Sequence, residues 1–247
     1  MKVKFKTHFV VGRLIIFNKL SIINFIKKVY ISTNSAEIPE FNNKYIKEYN
    51  LTKFQKEALI GLILGDGFLE RIKPSHNTRL QIEQSYPDKE EYFNHLYLLF
   101  KPLVSMNPSI WEGKPNKKTN LVYKSLYFWT LRFPCLNEYY ELFYKDKVKI
   151  IPKNLDKLLT PVGLAYWIMD DGGKSSFGQI VLHARSFTKI KDVLYIQSIL
   201  KKNFGLITIL KEKKLNQWII YIPRKQDVKL KDIVGKYIHK SMLYKIQ

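Results

Sequence analysis

Two runs of apolar positions lack the polar face that a surface helix would show: Leu59-Ile60-Gly61-Leu62-Ile63-Leu64-Gly65-Asp66-Gly67 and Leu164-Ala165-Tyr166-Trp167-Ile168-Met169-Asp170-Asp171-Gly172. Aligned without gaps, both begin aliphatic, stay apolar through the middle and close on Asp-Gly. Each reads as a buried helix with glycine just past its C-terminus. Thr52 predicts the N-cap of the first, which should run through Asp66. Gly61 and Gly65 lie four apart, on one face, where a second helix backbone could approach closely.

The pattern around each run is similar. After Gly67 a polar loop leads to Thr78–Gln84, which alternates with period two as a half-buried strand does. Arg79, Gln81 and Glu83 share its exposed face. Pro87-Asp88 opens an amphipathic helix with Phe93, Leu96 and Phe100 inside. Ile110-Trp111 and Val122–Phe133 bracket Gly113–Lys118, a basic hairpin tip with Lys114, Lys117 and Lys118. Leu136–Tyr144 reads as another helix, followed by Lys149-Ile150-Ile151-Pro152.

In the second half, helix 159–171 is followed by a strand over Ile180–Arg185. A helix capped by Thr188 follows, with Ile190, Val193, Ile196 and Leu200 inside and a close near Gly205. Ile207–Leu210 and Gln217–Ile222 bracket a second basic tip, Lys211-Glu212-Lys213-Lys214. Asp227–Ile238 is a last helix, and Ser241–Lys245 closes the chain. A helix–strand–helix–hairpin–helix unit occurring twice is an internal duplication. One place breaks the match. Aligned on Ser85 and Ser186, polar Arg79 and Gln81 oppose apolar Ile180 and Leu182, which requires a bulge or register shift in one copy.

The terminal aspartates break a local rule. A helix C-terminus carries partial negative charge and disfavours a carboxylate, and Asp170-Asp171 places two there. A bound cation would resolve the conflict, since the last turn also offers unpaired carbonyls. Carboxylate and carbonyl oxygens together, from Asp66, Asp171, Asp170 and Gly65, suit a hard divalent ion such as Mg²⁺.

Composition narrows the partner. Forty-two Lys and Arg face 21 acids, a net charge of +21, which suits a polyanion. One cysteine, Cys135, excludes a disulfide framework or a cysteine zinc site, and the five histidines show no metal-ligand spacing. There is no phosphate-binding glycine loop and no Gly-x-Ser-x-Gly elbow. Residues 1–36 are basic, apolar and acid-free, with stretches too short and too charged to span a membrane. That composition fits an organelle-import segment, the read-through start of an intron-encoded frame, or a loosely folded arm equally well. Residues 37–50 read as a polar linker.

With paired motifs, duplication and trailing lysines in view, the chain from about residue 50 resembles the single-chain, two-motif LAGLIDADG homing endonucleases, especially those from mitochondrial ribosomal-RNA introns. The fullest local match is Leu159-Thr160-Pro161 through Asp170-Asp171-Gly172-Gly173-Lys174. The resemblance implies an α+β fold. Residues 1–48 would be an extension or linker, 49–158 the first repeat and 159–247 the second. Two central helices would pack on a pseudo-twofold axis, beneath two curved antiparallel sheets that form a saddle over the DNA major groove. It assigns metal binding to Asp66 and Asp171, and catalytic lysines to Lys149 and Lys245. Tyr166, in place of a small residue opposite Gly61, makes the interface asymmetric, and His239 stands where the family often has proline. The implied protein is a monomeric mitochondrial (or chloroplast) enzyme. It would use Mg²⁺, or Mn²⁺ in substitution, to cut a long double-stranded DNA site, with one aspartate per strand. Base readers would be Arg79, Gln81, Glu83, Gln84, His183 and Arg185, with the hairpin lysines on phosphates. The rival expectation is an RNA-binding maturase that acts on its own intron without cleaving DNA.

Overall fold

The structure is a computed structural model that describes residues 40–184, 187, 189–215 and 217–247; the reading of residues 1–36, the Thr188 cap and Arg185 lie outside them. Residues 40–247 form one compact unit. Two copies of one topology share its core.

Helix α1 (Asn43–Glu48) occupies the expected linker. Its Tyr45 packs edge-on against Phe133 and donates from its hydroxyl to Pro102 O at 3.0 Å. Helix α2 (Lys53–Leu64) starts with a capping box: Thr52 Oγ1 accepts from Gln55 N–H, and the Gln55 side chain accepts from Thr52 N–H. The first repeat continues with β1 (Phe68–Glu70), β2 (Arg79–Tyr86), α3 (Glu90–Phe100), β3 (Ser109–Glu112), β4 (Lys124–Trp129) and α4 (Asn137–Phe143). A small hairpin, β5 (Tyr144–Lys145) and β6 (Val148–Lys149), and α5 (Leu155–Leu158) lead to the second motif helix, α6 (Pro161–Asp171). The second repeat then runs β7 (Gly172–Lys174), β8 (Ile180–His183), α7 (Ile190–Phe204), β9 (Ile209–Lys214), β10 (Gln217–Ile222) and α8 (Asp227–Val234), ending in a 3₁₀ segment, Lys240–Lys245. Glycine at 205 has φ +60 and closes α7 by donating to Leu200 O and Lys201 O. Among the described residues no helix is long and apolar enough to cross a membrane.

The duplication is explicit in the sheets. One has strand order β1-β2-β4-β3 and the other β7-β8-β10-β9, all antiparallel. Leu80 and Ile82 point into the core, as do Ile180 and Leu182, and Ile82 faces Phe128 just as Leu182 faces Ile220. The copies therefore match Leu80 to Ile180 and Ile82 to Leu182. The alignment is thus shifted by one residue from the one read in the sequence, β8 needs no bulge, and Ser186 lies outside the described residues. Two details of the sequence reading change. Ile190 is exposed rather than inside. Lys211 to Lys214 lie within edge strand β9 rather than at a hairpin tip. The first tip stands: Asn116 Oδ1 accepts from Lys118 and Thr119 N–H, and the three lysines there are exposed.

Helices α2 and α6 cross at their glycines. A Cβ built on Gly61 would lie 2.1 Å from Gly163 O and 2.9 Å from Trp167 N, and one on Gly65 would lie 2.6 Å from Asp170 Cβ. The partner of Gly61 is thus the Gly163 backbone rather than Tyr166. Tyr166 is fully buried and its hydroxyl lies 2.6 Å from His95 Nε2. The close crossing brings the C-termini of both motif helices together beneath the two sheets.

Candidate active site at the ends of the motif helices

Each motif helix delivers one aspartate and a turn of carbonyls to the same place, and each end receives a lysine. At α2, Lys149 Nζ donates to Gly65 O at 3.1 Å and Gly67 O at 3.2 Å. At α6, Lys245 Nζ donates to Asp170 O at 2.9 Å and to Met169 O. Ammonium groups at helix C-termini oppose the dipole and satisfy carbonyls that have no intrahelical donor. Lys149 reaches its end from the β5–β6 hairpin and Lys245 from the terminal 3₁₀ segment. Two lysines from unrelated elements occupy equivalent positions. Lys245 is 5% exposed, so neither the placement nor the burial is that of a solvated surface lysine.

The carboxylates and ammoniums here share one electrostatic environment. Burial, reinforced by the nearby Asp66 carboxylate, pushes Asp171 up to about 7, against the pull of Lys149, Lys245 and Lys89. Burial and then Asp66 likewise push Asp170 up to about 7, with Lys89 opposing. Lys245 is brought down to about 8 by burial, then by Lys89, against the attraction of the three aspartates. Burial also lowers Lys149, while Asp171, Asp66 and Asp170 pull it back. Acids pushed up and bases pushed down in one cleft mark a candidate functional site. Lys89, at the entrance of α3, belongs to this cluster, and the sequence reading passed over it.

Two of the expected metal ligands are otherwise engaged. The Gly65 carbonyl takes the Lys149 ammonium. The Asp170 carboxylate, 5% exposed, accepts from Gln84 Nε2 at 3.1 Å, Tyr92 Oη at 3.1 Å and Asp66 N–H at 3.3 Å. The Asp170 assignment is therefore corrected, because three protein donors already occupy that buried carboxylate, whereas the Gly65 carbonyl, with one donor, keeps an acceptor lone pair. Among the described residues no three His, Cys, Asp or Glu side chains form a group that could hold a metal ion by themselves. The donor set still fits Mg²⁺, which is commonly held by one or two carboxylates with substrate phosphate oxygens and water completing its shell. Asp66, which is exposed, and partly exposed Asp171 supply such carboxylates.

The expected base readers divide. Arg79, Gln81 and Glu83 lie on the sheet face away from the core, and His183 takes the corresponding place in the second sheet. Arg79 is already bound: its guanidinium pairs with Glu70 at 2.7 Å and stacks 3.8 Å over the Trp129 ring. Ser125 Oγ donates to Glu83 at 2.6 Å. Gln84 is a correction, because it faces inward at 3% exposure and belongs to the aspartate cluster. Lys211, Lys213 and Lys214 are exposed along β9, with Lys211 Nζ 5.1 Å above the Tyr221 ring.

The model of the LAGLIDADG DNA endonuclease family matches residues 56–230. "Probable intron-encoded endonuclease 1" of Wickerhamomyces canadensis is 32% identical over 83% of this chain and 91% of that protein. "Cytochrome b mRNA maturase bI2" of Saccharomyces cerevisiae is 32% identical over 89% of this chain and 52% of its own length. The solved structure "The homing endonuclease I-WcaI bound to its DNA recognition sequence" superposes with a TM-score of 0.76 at 29% identity, covering 87% of this chain and 97% of that one.

Proposed function

This chain belongs to the LAGLIDADG DNA endonuclease family, and on that premise we propose that it is a monomeric, metal-dependent homing enzyme that hydrolyses both strands of one long DNA target. The carrying observation is the pair of matched helix ends, each with a carboxylate beside a lysine. Two equivalent ends suit two phosphodiesters, one in each strand.

Asp66 and Asp171 would hold Mg²⁺, or Mn²⁺ in its place, with phosphate oxygens of the DNA completing the donor set. A divalent ion supplies Lewis-acid stabilisation and a more acidic water at such a site. Lys149 and Lys245 hold fixed positive charge where negative charge develops on the phosphoryl oxygens. Their hydrogen bonds to helix carbonyls keep them in place before DNA arrives, so little reorganisation remains at the moment of reaction. Gln81, Glu83 and His183 face base edges in the major groove. The lysines of the first hairpin tip and of β9 contact phosphates, which contribute affinity without sequence information. The relatives' names favour an intron-encoded protein; the proposed compartment is the mitochondrion, with the chloroplast as the alternative.

The decisive experiment is digestion of a library of candidate intron-insertion sites with the purified protein, with and without Mg²⁺. One preferred site, cut on both strands when metal is present, is the expected result. Metal-independent or sequence-blind cutting would overturn the reading. The yeast relative's name favours a second activity on the chain's own intron RNA. Splicing of that intron, assayed with wild type and Asp66→Asn, separates the two: a maturase function survives the substitution and cleavage does not.

A further inference from the structure

The hydrogen bonds around Asp170 cross from one repeat to the other, and they have no counterpart on the opposite side of the pseudo-twofold axis. Gln84 reaches Oδ1 from the inner face of β2 and Tyr92 reaches the same oxygen from α3. Oδ2 accepts the backbone N–H of Asp66. In the first motif the position matching Asp170 is Gly65, where a Cβ would collide with Asp170 itself. In the second repeat the position matching Gln84 is Ala184, buried at 1%, and Tyr92 corresponds to Asp192.

The reason one motif needs this contact lies in how the helices end. Helix α2 stops at Leu64, and the Gly67 N–H reaches back five residues to Leu62 O at 2.8 Å. That wider turn leaves the Asp66 N–H outside the helical ladder, and Asp170 accepts it. Helix α6 includes Asp171, and its cap Gly172 donates to Ile168 O in ordinary helical spacing. Asp171 is thus carried by its own helix, whereas Asp66 is carried by a carboxylate from the other repeat.

We propose that Asp170 is a positioning residue for the Asp66 centre, which makes the two strand-cutting centres mechanically inequivalent. This rests on the reading that Asp66 and Asp171 each serve one strand. Gln84 and Tyr92 hold Asp170, and Asp170 holds the Asp66 backbone.

The test is strand-resolved cleavage of the preferred duplex from the site library, with each strand carrying a different dye. The nicks left by Asp66→Asn and Asp171→Asn identify which cut depends on which aspartate. Asp170→Ala is expected to slow the Asp66-dependent cut at least about 10-fold more than the Asp171-dependent cut, since a misplacement of about 1 Å can cost on the order of 10²-fold. Nicked duplex should accumulate while gel-shift affinity stays unchanged. Tyr92→Phe, which preserves shape and removes one donor, should shift the strand ratio in the same direction by less, and it covers the case in which Asp170→Ala fails to fold. A ratio that neither variant moves, or one that moves toward the Asp171 cut, overturns the inference alone. Wild-type protein that cuts no duplex overturns the endonuclease reading and this inference with it.

Discussion

The two sheets share a backbone and differ in the chemistry of their outer faces. In the first, Gln81 lies opposite Trp129 and Glu83 opposite Tyr127. In the second, the matching rungs set Val181 opposite Tyr221 and His183 opposite Ile219. Val181 and Ile219 are buried on this face, outside the main core cluster. Side chains alternate along a strand, so a duplicated strand keeps its core positions while the other face varies freely. At the helix ends the opposite holds for one pair: an aspartate beside a lysine recurs in both halves, Asp66 with Lys149 and Asp171 with Lys245, although Asp170 does not recur. The difference separates what the proposed reaction requires of both halves from what each half contributes to recognition.

The strongest way to break that comparison is at the shared ends. Asp66→Asn and Asp171→Asn should each abolish double-strand cleavage, a loss beyond the roughly 10²–10³-fold typical of losing one preorganised electrostatic group. DNA affinity, measured by gel shift, should hold or rise. Double-strand cutting at full rate by either variant would end the assignment. Lys149→Met and Lys245→Met should each slow cleavage on the order of 10²–10³-fold. Cleavage by either variant at the wild-type rate would remove that lysine from the proposed site.

The faces sharpen the comparison. Gln81→Ala should relax discrimination at one base pair of one half-site by about 1–3 kcal/mol, as for loss of a bidentate contact. Val181→Ala should change base preference much less. A target selection repeated with each variant measures both, and equal relaxation in the two half-sites would show that the sheets read DNA alike. Within the core, Gly61→Ala should cost about 1–3 kcal/mol or more by overpacking, since its Cβ would strike the Gly163 carbonyl. Gly173→Ala, with nothing within 4 Å, is the matched control, and thermal melts of both decide the point. The smallest effect concerns pH. A carboxyl whose native pKa is raised weakens the fold as pH climbs through the window from 3.8 to about 7. Asp171→Asn should therefore raise the melting temperature of metal-free protein near about pH 7.5 and do little near about pH 4. A gain of equal size at both pH values would remove burial of that charge as the cause.

Much of this molecule was legible because local rules and long-range structure agree. The Thr52 cap, the two apolar runs, the period-two strand and the left-handed Gly205 all follow from short stretches, and the structure bears them out. Failures came where the cause was distant in sequence. Nothing near Asp170 announces that Gln84 and Tyr92, from the other repeat, will fill its acceptors. Gln84 itself carried a signal that was missed: the alternation of Thr78–Gln84 sets it on the inner face with Leu80 and Ile82. Helix α1 resembles a linker because six residues rich in Asn and Lys show no apolar periodicity, although Phe41, Tyr45 and Tyr49 at four-residue spacing mark the face that packs. The lysines of β9 were misplaced because a basic stretch between two apolar ones resembles a turn, whereas an edge strand also favours lysine.

The cross-repeat grip on Asp170 bears on whether halves of such enzymes can be exchanged. Recombining this second half with a foreign first half would transplant the aspartate without Gln84 and Tyr92. A buried acceptor left without its donors costs about 1–3 kcal/mol, more when charged. Lys149, carried on the hairpin between the halves, would have to travel with the first. Compatible chimeras from this chain are therefore those whose donor half already places a hydrogen-bond donor at the positions of residues 84 and 92, and that criterion can be read from candidate sequences before any recombinant is built.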